Sequence, residues 1–437
     1  MNKIPLTVPS QAQVVSPRAV WAWAFYDWAN SAFPTVVSTF VIAAYFAQAI
    51  APTPAEGQAA WGWMQSLAGL AIALLSPVLG AIADAGGRRR LMLFLCTVVT
   101  AVATAGLWWA KPDPAFALWA LLCAGVGTVA IETGTVFYNS MLMQVTTPDR
   151  YGRISGLAWG LGYAGGLTCL AIALLVFIQP NPALFGLDRG AAEHVRAIAL
   201  LVAVWTLAFG WPLLVALPDP PRAQRPPWAG AARKGLQEVG AVLRTLRWRS
   251  PLTRFLVARL FYTDGLNTLF AFGAIYAAGV FAFTVEDILL FGIAINVTAG
   301  LGAAGFGLIE DRIGSKRTVV IALACIVAVG IGLLMATTIL AFWLLALALG
   351  IFFGPAQAAS RALMAKMAPE SEASAYFGLF ALSGRVTGFL GPAVLAAVTT
   401  ATGSQRAGMA TVVVFLGLGL ALLLGVREAP PQDAIAA

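Results

Sequence analysis

Apolar residues run along this chain in stretches long enough to cross a bilayer, at 20–49, 61–83, 91–110, 115–143, 154–179, 195–217, 252–283, 287–309, 318–338, 341–365, 374–401 and 407–427. A helix of about 20 apolar residues spans a membrane. The pattern therefore predicts an all-α membrane protein with twelve transmembrane helices, numbered here as spans 1 to 12, and with both chain ends on one side. The longest break, 218–250, opens on Pro218-Asp219-Pro220-Pro221. Inside it Leu236, Val239, Leu243 and Leu246 recur at helical spacing opposite Arg and Lys, which predicts an amphipathic helix lying on the membrane surface. It divides the chain into an N-terminal half (1–217), a basic linker (218–250) and a C-terminal half (251–437).

Composition agrees with that reading. The 437 residues are 60% hydrophobic and 11% charged, against about 25% charged in a soluble domain. The net charge of +8 sits in short clusters between apolar runs, the pattern of membrane loops and not of a nucleic-acid surface. Lys111, Arg189, Arg196 and Arg406 are the only basic residues on the side away from the chain ends, and Arg254, Arg259, Arg361 and Arg385 fall within spans. The other 19 of the 27 Lys and Arg share the side of the termini, which is therefore expected to be cytoplasmic, in a bacterial plasma membrane. Trp21, Trp61, Trp63, Trp108, Trp109 and Trp343 lie near span ends, as an interfacial belt requires.

Candidate chemistry is sparse. Cys96, Cys123, Cys169 and Cys325 stand singly in apolar runs, and His194 is the only histidine, so no metal site, disulfide framework or zinc-hydrolase motif is expected. No Gly-Lys pair exists for a phosphate-binding loop and no GxSxG elbow is present. Neither an enzyme nor an ATP-driven pump is expected, nor a cofactor. The first nineteen residues hold no apolar leader segment, so no cleaved signal is expected.

An internal repeat carries more information. Gly80, Ile82, Asp84, Gly87, Arg89 and Arg90 after span 2 match Gly307, Ile309, Asp311, Gly314, Lys316 and Arg317 after span 8 at a constant offset of 227, with Arg88 and Arg312 beside them. Leu142-Met143 with Pro148-Asp149 is echoed by Leu363-Met364 with Pro369-Glu370. Asp27 and Asn30 in span 1 are echoed by Asp264 and Asn267 in span 7. The glycine, aspartate and basic residues between spans 2 and 3 resemble the signature loop of the major facilitator superfamily, although Ala85 stands where a basic residue is usual. Tyr26-Asp27-Trp28-Ala29-Asn30, Phe137-Tyr138-Asn139-Ser140 and Gln357-Ala358-Ala359-Ser360-Arg361 resemble its vacuolar-effluxer branch, related to an autophagy-linked amino-acid exporter. The resemblance implies two pseudo-symmetric six-helix bundles that rock about a midplane site, with spans 1, 4, 7 and 10 lining the cavity. It also implies that Asp84 faces the start of span 11 and Asp311 the start of span 5, as parts of a conformational latch.

Charges inside spans are the site candidates, because an unpaired charge in lipid is costly. Asp27 and Glu132 are candidates for proton coupling; a hydrogen-bond network tying helices together is the competing reading. Asp264 is placed to contact substrate or to pair with Arg259. Arg361 is placed to bind substrate or to snorkel to the cytoplasmic face; Arg385 is placed to bind substrate or to pair with a carboxylate across the halves. Tyr26, Asn30, Tyr138, Asn139, Asn267 and Gln357 can bond a substrate or one another. Gly156, Gly160, Gly162 and Gly166, and likewise Gly384 and Gly388, read as close-packing surfaces. The expected function is secondary transport of a small zwitterion such as an amino acid, by a monomer using protons or another coupling ion. A zwitterionic lipid as substrate, or a membrane sensor that has lost transport, are the alternatives.

Overall fold

The computed structural model describes residues 16–217, 219, 226–245 and 250–426. Pro218, Pro220, Pro221, Leu246 and the first fifteen residues, on which parts of the reading above rest, lie outside that set. Among the described residues eleven helices are long and apolar enough to cross a membrane. They are Pro17–Ile50, Glu56–Gly86, Arg89–Trp109, Pro114–Val145, Pro148–Ile178, Glu193–Ala216, Leu290–Ile313, Ser315–Met335, Ile339–Met367, Glu370–Thr402 and Gln405–Leu424. The twelfth, span 7, is Pro251–Phe281 and bends by 50° between Gly273 and Ile275. Spans 1–6 and 7–12 build two six-helix bundles, which meet chiefly where span 2 packs on span 11 and span 5 on span 8.

Small residues make both seams close. Any side chain at Gly80 would strike the backbone of Ser374, and Gly378 lies against Ser76 and Pro77. Across the other seam Gly156 faces Ala303 and Gly307, and Gly160 faces Gly300 and Ala304. Gly162, Gly165 and Gly166 instead seat span 5 on Trp28, Ser31 and Thr35 of span 1. Gly384 departs from the packing expectation: the groups it accommodates are the guanidinium nitrogens of Arg259.

Two spans are interrupted where they approach the middle of the molecule. In span 1 the α-helix ends at Asn30 and resumes as wider π-type turns over Phe33–Phe40. Pro34 has no N–H to bond the Asn30 carbonyl four residues back, so the regular ladder stops there. Span 11 is regular from Ala373 to Arg385 and again from Leu390 to Thr402. Pro392 likewise has no N–H to return to Gly388, inside the intervening break.

The linker holds the expected helix, Trp228–Thr245, and one side of it packs on span 2. Ala231 is fully buried and Gly235 abuts the backbone of Ala81 and Ile82 on span 2, whereas Leu236 is 56% exposed. Two small residues one turn apart let the backbones approach more closely than a leucine stripe would. Trp228 covers the Arg88 guanidinium at 4.2 Å, and Arg88 donates to the Pro226 carbonyl at 2.8 Å. Of the expected interfacial tryptophans, Trp21, Trp63 and Trp109 are exposed, while Trp61 is buried beside Phe46.

Candidate functional site

A cavity of about 590 Å³ lies between the bundles. Its wall includes the loosened part of span 1 (Pro34, Thr35, Thr39), with Pro34 and Thr39 exposed. Asn30, Asn267, Asn296 and Gln357 add amides, and Trp159, Tyr163, Phe270, Phe353, Phe377 and Phe380 supply rings. Apolar walls with a few polar groups aimed inward are what a small-molecule site requires.

Five charged side chains line it: Asp27, Glu132, Arg259, Arg361 and Arg385. Arg361, from span 10, is 3% exposed and reaches into the opposite bundle. Its Nη1 donates to Asp27 Oδ2 at 2.8 Å and to Asn139 Oδ1 at 3.4 Å. Its Nε donates to Ser155 Oγ at 2.8 Å and its Nη2 to the Ser155 carbonyl at 2.7 Å. One guanidinium thus ties spans 1, 4 and 5 to span 10. Trp23, Tyr138 and Trp159 surround it at 4.9, 5.6 and 5.7 Å from their ring centres, which adds cation–π attraction in a dry setting. Snorkelling to the surface is therefore not what Arg361 does.

The second inter-bundle pair is wetter. Arg385 Nη2 lies 2.5 Å from Glu132 Oε1, with side-chain exposures of 37% and 35%. The alternative of a carboxylate partner across the halves is the geometry found for Arg385.

Three sequence candidates lie elsewhere. Asp264 does not line the cavity and does not meet Arg259; its Oδ2 accepts from the Gly391 N–H at 2.9 Å. The break in span 11 leaves that donor without a helical acceptor, and the buried carboxylate caps it. Tyr26 is 4% exposed and its hydroxyl shares a 2.8 Å hydrogen bond with Thr97 Oγ1. Tyr138 is fully buried, stacked on Trp23 and Tyr26 with centroids 4.6 and 4.9 Å apart. Both tyrosines pack the bundle behind Arg361. Asn30 lines the cavity while donating to Thr135 Oγ1 at 3.3 Å. Arg259, read in the sequence only as a possible mate for Asp264, belongs among the lining residues. The signal for it was an arginine within a cavity-lining span.

On the face where spans 2 and 8 end and spans 5 and 11 begin, both repeat loops cross between bundles. Asp84 pairs with Arg89 at 2.6 Å and accepts from the Ala375 N–H at 2.9 Å; Arg89 donates to the Glu370 carbonyl at 2.5 Å. Asp311 accepts from the Arg153 N–H at 3.0 Å and pairs with its guanidinium at 3.2 Å. These are the starts of spans 11 and 5, where the first-turn N–H groups favour an anion. Gly87 and Gly314, at φ 58° and 91°, turn the chain where a side chain would be strained. Gly307 fits against Gly152 and Gly156. Lys316 donates to the Leu424 carbonyl at 3.1 Å and Arg312 is exposed. Deeper on this face Ser374 Oγ meets Ser140 Oγ at 2.9 Å.

A family model described as "Vacuole effluxer Atg22 like" matches residues 58–429. The MFS-type transporter YxiO of Bacillus subtilis (strain 168) is 25% identical over 94% of this chain and 95% of its own length. Autophagy-related protein 22 of Cryptococcus neoformans is 26% identical over 65% of this chain, which spans only 54% of that protein. Among solved structures, the proton:xylose symporter XylE superposes with a TM-score of 0.77 at 12% identity, covering 96% of this chain and 98% of that one. The human organic anion transporter MFSD10 superposes at 0.70 with 19% identity, over 93% and 100%. At those identities the superpositions establish a shared fold.

Proposed function

Starting from a chain that belongs to the Atg22-like vacuole effluxers of the major facilitator superfamily, we propose that it exports a small zwitterionic solute, an amino acid or close relative, by alternating access in exchange for protons. The carrying observation is the Glu132–Arg385 pair, 2.5 Å apart, half exposed in the cavity and shared between the bundles. A zwitterion replaces that pair charge for charge. Its ammonium takes Glu132 and its carboxylate takes the planar fork of Arg385, so binding parts the ion pair without leaving an uncompensated charge.

Asp27 is the proposed proton site. Protonation from the cavity removes the charge that holds Arg361 Nη1 and loosens the tie among spans 1, 4, 5 and 10. The halves 1–217 and 251–437 then rock apart at the face bearing the chain ends, with the Asp84 and Asp311 loops as the latch that recloses it. That face is cytoplasmic in this proposal, following its excess of Lys and Arg, and the membrane is the bacterial plasma membrane.

The test is counterflow of labelled amino acids in proteoliposomes. Glu132→Gln and Arg385→Gln should each lower exchange about tenfold or more, the loss of one charged hydrogen bond. Exchange at the unmutated rate in both variants, for a solute the parent carries, would remove the pair from the site.

A further inference from the structure

The cavity's charges do not balance. Of its five charged side chains, Asp27 is paired with Arg361 and Glu132 with Arg385. Arg259 is left over, in no ion pair among the described residues. Asp264, the acid nearest to it along span 7, is turned to the Gly391 N–H. The guanidinium is held all the same. Nη1 donates to the Phe380 carbonyl and, at 2.9 Å, to Ser383 Oγ, and the group lies 3.4 Å over the Phe380 ring. Gly384 has no side chain to collide with its nitrogens. The Nε is buried and finds no acceptor among the described residues.

An oxygen, a hydroxyl and a ring face, all neutral, orient this group without cancelling its charge. A charge inside a membrane protein pairs with another charge or with backbone carbonyls, and where it faces a cavity it marks a substrate or ion path. Here no ion-pairing anion is found among the described residues, while the group borders the cavity that Arg385 and Glu132 also line. We infer that the cargo supplies it: the solute carries a second anionic group, carboxylate or phosphate, that docks on Arg259, so the preferred class is the acidic amino acids and their phosphorylated analogues.

This rests on the zwitterion reading of Glu132 and Arg385, and the test separates the two. Binding of L-glutamate and L-glutamine, L-aspartate and L-asparagine, and O-phospho-L-serine and L-serine is measured on the purified full-length protein by isothermal titration. The anionic member of at least one pair should bind about tenfold tighter than its neutral mate. Arg259→Gln should abolish that preference by weakening the acid alone. Gly384→Ala, which displaces the guanidinium and keeps its charge, should weaken the same acid severalfold and spare the neutral mate. Equal binding within every pair, or an equal loss for acid and neutral mate in Arg259→Gln, would overturn this inference alone. Failure of all six probes would overturn it together with the amino-acid reading beneath it.

Discussion

Arg361→Lys is expected to lower transport about a hundredfold while leaving a folded protein. Lysine preserves the charge but is a point donor on a flexible stem. It can meet Asp27 or Ser155, but not both together with Asn139, as the arginine fork does across 2.7–3.4 Å. The lost coupling falls between spans that must move as units, so the effect is expected on flux more than on folding. Arg361→Met should do worse, because Asp27 is left buried without a partner, at a cost of about 3–5 kcal/mol. Adding Asp27→Asn to Arg361→Met should recover thermal stability without recovering transport, since the two groups share one interaction. Asp27→Asn alone should lose accumulation driven by a pH gradient and retain part of its counterflow, which needs no net proton movement. Full pH-driven flux in Arg361→Lys, or in Asp27→Asn, would take this pair out of the coupling machinery.

Much of this architecture is legible in the sequence, because span length and loop charge are local properties. The offset of 227 between Gly80-to-Arg90 and Gly307-to-Arg317 marks the two halves without any structure. Which charges exist is legible too, since Asp27, Glu132, Arg361 and Arg385 each interrupt an apolar run. Whom they meet is not: Asp27 and Arg361 stand 334 residues apart, and only the packing of one bundle on the other brings them together. Local spacing is a poor guide here for a physical reason. It suggested an Arg259–Asp264 pair, but the break in span 11 created a buried donor at Gly391 that competes for the carboxylate. Gly388 followed by Pro392 was the sign of that break. Once Asp264 is drawn away, Arg259 is left in no ion pair among the described residues, an outcome of packing across the whole site that no single motif carries. Tyr26 and Tyr138 belong to the same motifs as Asp27 and Asn139, yet they are buried in a ring stack with Trp23, and Tyr138 lies 5.6 Å from the Arg361 guanidinium.

The contacts at the face of the two repeat loops lead to the second large effect. A disulfide between Ser140→Cys and Ser374→Cys is expected to abolish flux, and reductant to restore it. The two hydroxyl oxygens are 2.9 Å apart and both residues are fully buried where spans 4 and 11 meet. A disulfide needs Cβ atoms about 3.5–4.5 Å apart, a separation that two side chains meeting at 2.9 Å can adopt. Neighbouring contacts fix the same seam: Gly80 beneath Ser374, and Asp84 on the Ala375 N–H. Bridging it holds shut the face that alternating access must open. Glu132 and Arg385 lie in the cavity beyond the bridge, which extends along span 1 to Thr39 and Phe40. The oxidised protein should therefore still bind solute with the affinity of the parent while carrying none of it. The single-cysteine variants should transport normally under the same oxidant, which controls for Cys96, Cys123, Cys169 and Cys325. Loss of binding along with flux would mean the bridge distorts the site. A bridge formed in full with flux intact would mean that spans 4 and 11 never part, and rocking of the two bundles at this face would have to be abandoned.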